Sequence, residues 1–289
     1  MAESARPVEV TSFTYDPGEP RARRLSVPVE TPVEVGYGGV PFAVMMLTPR
    51  DLEDFAYGFS LTEGLIRSAS DIRRVSVTTG VDGIRLDVEL VPDRMAGHLA
   101  RRRALSGRTG CGVCGIQDLA ALDSGCEQRV SVPEVPLHAL RRAVSELEAE
   151  QALNAETRSV HAAGWADLNG CITHVREDVG RHNALDKLIG RLLFDGLGTR
   201  AGFIVITSRC SFEMVDKAAA IGAGMLVAVS GPTSLAIDKA TRLGMALIAI
   251  AREDGVTAFT GGWRLADECI AGRAASRPDA VDQKNAVGL

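Results

Sequence analysis

The sequence predicts an α/β fold in which a three-layer C-terminal domain follows a smaller N-terminal α+β domain. From about residue 135 onward, short apolar runs alternate with segments of helical periodicity. This alternation is typical of a central sheet that is covered by helices on both faces. A length of 289 residues with 46% hydrophobic content suits one large domain or two smaller ones with a sizeable core.

The N-terminal domain is predicted over residues 25–95. Two strand-like runs, Leu25–Val35 and Val40–Leu47, are separated by glycines that indicate a hairpin. Thr48 is then predicted as the N-cap of a helix and Pro49 as its first residue, followed by apolar residues at helical spacing. Two further alternating runs around paired glycines predict a second strand pair, so this unit combines strands with a helix.

The C-terminal domain is predicted over residues 135–271 and contains the alternating pattern. Helices are expected around Leu137–Leu147 and over Leu185–Leu193, Phe212–Ile221 and Thr233–Leu243. Strands are expected over His161–Asp167, Cys171–Val175, Phe203–Thr207, Leu226–Val229 and Met245–Ala251.

Three segments are predicted to lie outside packed elements. Residues 1–24 are rich in Pro, Arg and Glu, which predicts a flexible lead-in, and residues 272–289 are polar, which predicts a disordered tail. Residues 96–134 contain three consecutive arginines, several glycines and a cysteine pair. Because so long a connection in a compact protein is usually functional or disordered, we expect a mobile loop between the domains.

Composition excludes several classes of protein. The net charge of −5 argues against a general nucleic-acid binder, so any anion site must be local. The sequence contains no run of about 18 apolar residues, so no membrane span is predicted. The first residues lack the apolar core of a signal peptide, so we expect a cytoplasmic protein.

The Cys-x-x-Cys formed by Cys111 and Cys114 is the most informative motif. Glycines surround the pair, and Arg108 and an arginine run precede it. Nearby cations favour the thiolate, which is the nucleophile, and glycine leaves the backbone free to move. The pair suits redox or sulfur-transfer chemistry. A structural zinc site would need further ligands that the spacing does not supply. A thioredoxin-type pair would lie at the start of a helix after a strand, whereas this pair lies in a glycine-rich segment after an arginine run.

Of the other cysteines, Cys171 and Cys210 lie beside apolar runs and are predicted to be buried as small hydrophobic residues. Cys126 lies near the pair and Cys269 near the C-terminus.

Small polar or cationic side chains follow three successive predicted strands, at the points where helices begin. Each alone is explained as a helix cap or a solvated helix start. Together they predict a phosphorylated, nucleotide-like ligand, because ligands of open α/β sheets bind beyond the carboxyl ends of the strands. A phosphate-binding Gly-x-x-x-x-Gly-Lys-Ser/Thr motif does not occur, which argues against ATP hydrolysis. The residues are Arg181, His182, Ser208, Arg209, Ser230 and Thr233.

Several long motifs in order resemble the FdhD family of formate dehydrogenase accessory sulfurtransferases. The resemblance covers about residues 25–265. It is carried by Gly107–Gly115 around the cysteine pair, Arg176–Lys187, Ser208–Met214, Thr62-Glu63-Gly64 and Ser230–Thr233.

The resemblance implies a function. Such proteins accept sulfur from a cysteine desulfurase as a persulfide on the Cys-x-x-Cys loop. They pass it to the bis(molybdopterin guanine dinucleotide) molybdenum or tungsten cofactor of formate dehydrogenase, without a permanent metal of their own. The family also implies homodimers and a C-terminal domain similar to cytidine deaminases.

The resemblance further assigns cofactor binding to a segment near the C-terminus. This chain departs from the family pattern there, with a phenylalanine and a glycine where tyrosine and often histidine occur. The segment consists of Val256, Thr257, Ala258, Phe259, Thr260 and Gly261.

Deamination is rejected, because His161 is not followed by the required glutamate and Cys210 is a single cysteine. We expect Cys111 to carry the persulfide, Cys114 to assist or resolve it, and Arg108, Arg181 and Arg209 to bind phosphate. The alternatives are a non-catalytic cofactor chaperone whose cysteine pair senses redox state, and a zinc-stapled structural protein.

Overall fold

The computed structural model of the chain describes residues 3–15, 19–106, 128–196, 201–252 and 254–266. They form a mixed α/β structure, as predicted. No helix within these ranges is long and apolar enough to cross a membrane. The Cys-x-x-Cys pair and the predicted C-terminal tail lie outside the described residues.

A two-stranded hairpin occupies most of the predicted lead-in. Strand β1 (Ala5–Ser12) pairs antiparallel with β2 (Arg21–Pro28) along its whole length. The prediction of a flexible segment over residues 1–24 was therefore wrong. No side chain of the two strands is fully buried, and the apolar alternation by which a half-buried strand is recognised is short here, limited to Val8 and Val10 in β1.

A four-stranded sheet follows, with order β4-β3-β6-β5. The predicted hairpin is confirmed, since β3 pairs antiparallel with β4, and Gly38 and Gly39 between them have φ values of 58° and 77° that favour glycine. The single strand predicted over Leu25–Val35 was wrong, because this run is divided between β2 and β3, which belong to different sheets. Helix α1 (Leu52–Thr62) packs on this sheet. The strands are β3 (Thr31–Tyr37), β4 (Val40–Leu47), β5 (Ile72–Thr79) and β6 (Ile84–Leu90).

The predicted start of α1 was wrong by one turn. The N-cap is Asp51, in a left-handed conformation with φ 55°, and Leu52 is the first helical residue. Thr48 is buried and its amide donates instead to the Asp178 carboxylate at 2.9 Å. A capping motif is recognised from neighbouring residues, whereas this bond joins residues 130 apart in sequence, so the local pattern could not reveal it.

Helix α2 (Pro92–Ser106) extends into the segment predicted as a mobile loop. The loop prediction is therefore wrong for residues 96–106, which are helical as far as the arginine run and beyond it. Gly107 to Glu127, which include Cys111 and Cys114, are not described.

The C-terminal half forms a six-stranded sheet with order β13-β12-β11-β10-β8-β9. The predicted strands and helices of this half are confirmed within a few residues. The elements are β7 (Val135–Pro136), α3 (Leu137–Ala149), α4 (Ala152–Thr157), β8 (His161–Ala166), β9 (Ile172–Asp178), α5 (Arg181–Phe194), β10 (Phe203–Ile206), α6 (Phe212–Ala220), β11 (Met225–Ala228), α7 (Ser234–Leu243), β12 (Ala246–Arg252), β13 (Gly255–Thr260) and β14 (Leu265–Ala266).

Helices cover both faces of the large sheet, which gives three layers. Phe203 and Val205 of β10 pack in one apolar cluster with α3, while Ile204 and Ile206 pack in another with α5, α6 and α7. Both sides of the strand are buried, and this explains its uninterrupted apolar sequence. The likeness to cytidine deaminases stays a prediction.

The two sheets share one apolar cluster, because α1 crosses α5 at very short range. A Cβ atom on Gly58 would overlap the main chain of Asp186, and one on Gly190 would overlap the main chain of Asp54. The cluster therefore runs continuously from the small sheet through both helices to one face of the large sheet.

Candidate functional site: the carboxyl edge of the large sheet

Four strand ends meet along one edge of the large sheet, which we call the carboxyl edge. Strands β10, β11 and β12 are parallel, and β9 shares their direction because both β9 and β10 are antiparallel to β8. Helices α5, α6 and α7 begin after β9, β10 and β11. The structure therefore aligns the predicted residues Arg181, His182, Ser208, Arg209, Ser230 and Thr233 along this edge.

Main-chain hydrogen bonds fix the loops of this edge relative to one another. The Cys210 amide donates to the Gly231 carbonyl at 3.2 Å, and the Thr233 amide donates to the Cys210 carbonyl at 3.0 Å. On the other side, the Ile250 amide donates to the Ser230 carbonyl at 3.3 Å. The loop after β11 is thus held between its neighbours.

The polar side chains of these loops are engaged to different degrees. The Thr233 hydroxyl accepts from the Ala236 amide at 3.3 Å and caps α7. Ser208 is buried, and its hydroxyl donates to the Arg209 carbonyl at 3.1 Å. Arg209 itself is exposed and forms no ion pair with any side chain of the described ranges. Arg209 is therefore available to an anionic ligand.

Arg181 opens α5 and has an unsatisfied donor. Its Nε is buried and has no hydrogen-bond partner within the part of the chain that the structure describes. A buried guanidinium donor without an acceptor is costly, and a phosphate oxygen would satisfy it. This is the strongest structural indication of an anion at the carboxyl edge.

Two histidines flank Arg181. His182 lies with Nε2 3.4 Å from the Glu213 carboxylate of α6. Burial and the Arg181 charge lower the pKa of His182, although Glu213 acts in the opposite direction. Burial and Arg181 also lower the pKa of His161, at the start of β8. Both imidazoles are therefore held in the neutral form, which can donate or accept a hydrogen bond.

Other residues of the Arg176–Lys187 motif point inward and stabilise the fold. Lys187 and Asp178 are fully buried and form an ion pair of 2.7 Å. The Asp178 carboxylate also accepts from the Gly180 amide at 2.8 Å and the Asn183 side chain at 3.0 Å. The Asn183 side-chain amide therefore serves this buried network and the Met46 carbonyl rather than a ligand.

A second ion pair is formed by Asp186, the residue that precedes Lys187 on α5. The Asp186 carboxylate accepts from the Lys217 ammonium of α6 at 2.8 Å and from the Thr62 hydroxyl of α1 at 2.8 Å. Thr62 belongs to the Thr-Glu-Gly motif singled out in the sequence. Its side chain ties α1 to α5 and α6 and thereby supports the helix starts at the carboxyl edge.

The segment Val256–Gly261 spans the sheet from edge to edge. Strand β13 runs antiparallel to β12, so Val256 and Thr257 lie near the carboxyl edge. Thr260 lies at the opposite edge, where its hydroxyl donates to the Met245 carbonyl at 2.7 Å. A Cβ on Gly261 would press against Ala246. The structure therefore brings only the first residues of the predicted segment toward the other predicted ligand-binding residues.

The two described cysteines differ in burial. Cys210 is fully buried, and burial raises the pKa of its thiol to about 12. Its thiolate, the reactive form, is therefore disfavoured near neutral pH. The prediction of burial is therefore confirmed for Cys210 but wrong for Cys171, which is half-buried; both are free thiols. The predicted residues Cys111, Cys114 and Arg108 lie outside the described ranges, and their roles stay predictions.

Sequence reasoning missed one residue of this edge. Ile250 of β12 has φ 53°, a left-handed conformation that is rare for a β-branched residue. No sequence signal marks this position, because Ile is an ordinary strand residue. Among the described residues, no group of three His, Cys, Asp or Glu side chains is arranged to hold a metal ion.

Comparisons with known proteins give consistent results along nearly the whole described chain. The model of the FdhD/NarQ family matches residues 28–266. A "Sulfur carrier protein FdhD" of Xanthomonas campestris pv. campestris is 48% identical over 239 residues, which are 83% of this chain and 85% of that protein. A protein of the same name from Bordetella parapertussis is 43% identical over 237 residues, 82% of this chain and 86% of its own.

A solved structure shares the fold. The crystal structure of a protein described as a formate dehydrogenase accessory protein from Desulfotalea psychrophila superposes with a TM-score of 0.71 at 24% identity. The match covers 91% of this chain and all of that one.

Proposed function

Because the chain belongs to the FdhD/NarQ family, we propose that it is a sulfurtransferase that serves formate dehydrogenase. It accepts sulfur from a cysteine desulfurase and delivers it to the bis(molybdopterin guanine dinucleotide) molybdenum or tungsten cofactor, which is the substrate. The observation that carries the proposal is the 48% identity to a sulfur carrier protein over 83% of the chain. Homodimer formation belongs to the same proposal.

The cysteine pair carries the sulfur in this proposal. The Cys111 thiolate attacks the terminal sulfur of the desulfurase persulfide, a new S–S bond forms on Cys111, and the desulfurase cysteine leaves as a thiolate. Release of that sulfur as sulfide requires two electrons. The Cys114 thiolate supplies them by attacking Cys111 Sγ, and a thiol reductant later opens the resulting disulfide. Cys210 is unsuited to this role, because burial raises its pKa.

The carboxyl edge binds the cofactor in this proposal. Arg181 and Arg209 provide donors for the phosphates, since one has an unsatisfied buried Nε and the other is exposed without an ion pair in the described ranges. The loop amides around Ser230 and the first residues of β13 line the same edge. The chain thus supplies binding and orientation, and the metal chemistry belongs to the cofactor.

Intact-protein mass spectrometry after incubation with a cysteine desulfurase and cysteine tests the sulfur-carrying step. We expect a gain of one sulfur that reductant removes. Cys111→Ala should abolish the gain, and Cys114→Ala should retain it while failing to activate formate dehydrogenase. Cys210→Ala is the control and should retain both activities. No gain on reduced protein would favour the cofactor chaperone, and gain only in Cys111→Ala would reverse the two roles.

Binding of guanosine diphosphate, the nucleotide end of the cofactor, tests the carboxyl edge separately. Arg181→Gln and Arg209→Gln should each weaken binding about five- to tenfold, since a charge-assisted contact is lost. Arg85→Gln is the control, because Arg85 pairs with Glu34 at 2.7 Å on the small sheet. Equal effects of all three variants would contradict a phosphate site at the carboxyl edge.

A further inference from the structure

Ile250 lies in an unusual bulge of strand β12. Ala249 pairs with Thr257 and Arg252 with Gly255, so Ile250 and Ala251 together face only Val256. A bulge whose first residue is left-handed normally has glycine at that position. Here a β-branched residue adopts φ 53°, a conformation that is strained for such a side chain.

The bulge turns the Ile250 side chain outward. Ile250 is 39% exposed, while Ala249 and Ala251 on either side are fully buried. The apolar core therefore does not account fully for an isoleucine at this position. Bulges often re-aim a side chain next to a binding site, and the outward direction here places an aliphatic group at the carboxyl edge.

The surroundings combine apolar surface with polar groups. The Ile250 amide is bonded to the Ser230 carbonyl, in the loop that is tied to Cys210 beside Arg209. Strands β10 and β12 are two spacings apart, on the order of 10 Å. A ligand with phosphates near Arg209 and a planar ring attached to them can therefore place the ring near Ile250.

We infer that Ile250 is a binding residue that supports the flat face of a heteroaromatic base, beside the phosphate-binding part of the carboxyl edge. This inference rests on the proposed function, which supplies a ligand with guanine nucleotide ends. An aliphatic side chain contacts the face of a ring but forms no hydrogen bonds with the polar atoms at the ring's edge, which distinguish one base from another. Ile250 therefore contributes affinity for a nucleotide and little discrimination between bases.

Calorimetric titration with guanosine diphosphate, adenosine diphosphate and inorganic diphosphate tests the inference. Ile250→Gly should weaken both nucleotides about five- to tenfold through loss of apolar contact and leave inorganic diphosphate unchanged. The Tm should stay the same or rise by up to about 4 °C, since glycine relieves the left-handed strain. Ile250→Phe should retain nucleotide affinity, because it restores an apolar surface.

Val77→Ala is the matched control, since Val77 is a similarly exposed aliphatic residue (48%) on β5 of the other sheet, and it should leave the binding of all three ligands unchanged. Unchanged nucleotide binding in Ile250→Gly, or an equal loss for inorganic diphosphate, would overturn the inference while leaving the nucleotide site intact. If the unmodified protein binds none of the three ligands, the proposed nucleotide site itself fails, which is a distinct result.

Discussion

At the scale of single residues, the buried Lys187–Asp178 pair makes a strong stability prediction. Lys187→Met should destabilise the protein by about 3–5 kcal/mol, because Asp178 would remain charged and buried without its partner. Urea unfolding gives the value. Arg191→Met on the same helix is the control: Arg191 pairs with Asp195 at the surface, and its loss should change stability by at most about 1 kcal/mol. Similar losses in both variants would contradict the prediction.

The lowered pKa of His182 predicts that the free energy of unfolding depends on pH. Burial and Arg181 lower its folded pKa below the unfolded value of about 6.5, against the opposing effect of Glu213. As pH falls below about 6.5, the unfolded chain takes up the proton first, so stability is present above that pH and is lost toward the folded pKa. His182→Gln should therefore reduce the fall in the free energy of unfolding between pH 7 and 5, while His161, whose pKa is also lowered, keeps its own contribution. Parallel curves for the two proteins would count against this.

The sequence located the polar residues at the start of α5, but it did not show which of their side chains point into the core. Arg181, Asn183 and Lys187 fall in one motif at a helix start, where all three could be taken as solvated or ligand-binding. In the described part of the chain, the buried Arg181 Nε has no hydrogen-bond partner, whereas Asn183 and Lys187 are buried against Asp178 and the end of β4. Their partners are distant in sequence, so no local pattern could separate them.

At the scale of elements, the close crossing of α1 and α5 predicts that a glycine-to-alanine substitution will destabilise the protein, although helix propensity alone favours alanine. Alanine is favoured over glycine in a helix by about 1 kcal/mol. Gly58→Ala should nevertheless destabilise by about 3 kcal/mol or more, because the new Cβ overlaps the main chain of Asp186. Gly97→Ala in α2 is the control, since nothing lies near its Cβ position, and it should stabilise by up to about 1 kcal/mol. Thermal or urea unfolding of both variants decides the point.

Elements with strong apolar periodicity were predictable, and elements without it were not. The buried strand β10 and helix α5 were located within a few residues. The exposed hairpin was predicted only in part: the run Leu25–Val35 includes the end of β2, but β1 was missed, because pairing between strands leaves little trace in sequence when neither face is well buried. The same reasoning explains Ile250, whose bulge arises from the pairing of β12 with β13 and from the neighbouring loop after β11.

At the scale of the whole molecule, the two predicted domains are joined by one core. Val33 and Leu86 of the small sheet belong to the same buried cluster as Ile204 and Leu226 of the large sheet. The sequence showed two patterns of periodicity and therefore suggested two units. It could not show that two glycines, Gly58 and Gly190, allow the helices between the sheets to pack in direct main-chain contact.

A shared core predicts a single cooperative unfolding transition. Trp165 is buried in the large sheet, so its fluorescence, with Trp263 replaced by Phe, reports on that half. Hydrogen exchange of peptides from β3 and β6 reports on the other half. Both probes should give the same free energy of unfolding, and Gly58→Ala should lower both equally, because α1 and α5 link the two sheets. If the small sheet opened at lower denaturant while Trp165 stayed protected, the sheets would be separate cooperative units, and the carboxyl edge would not depend on the α1–α5 contact.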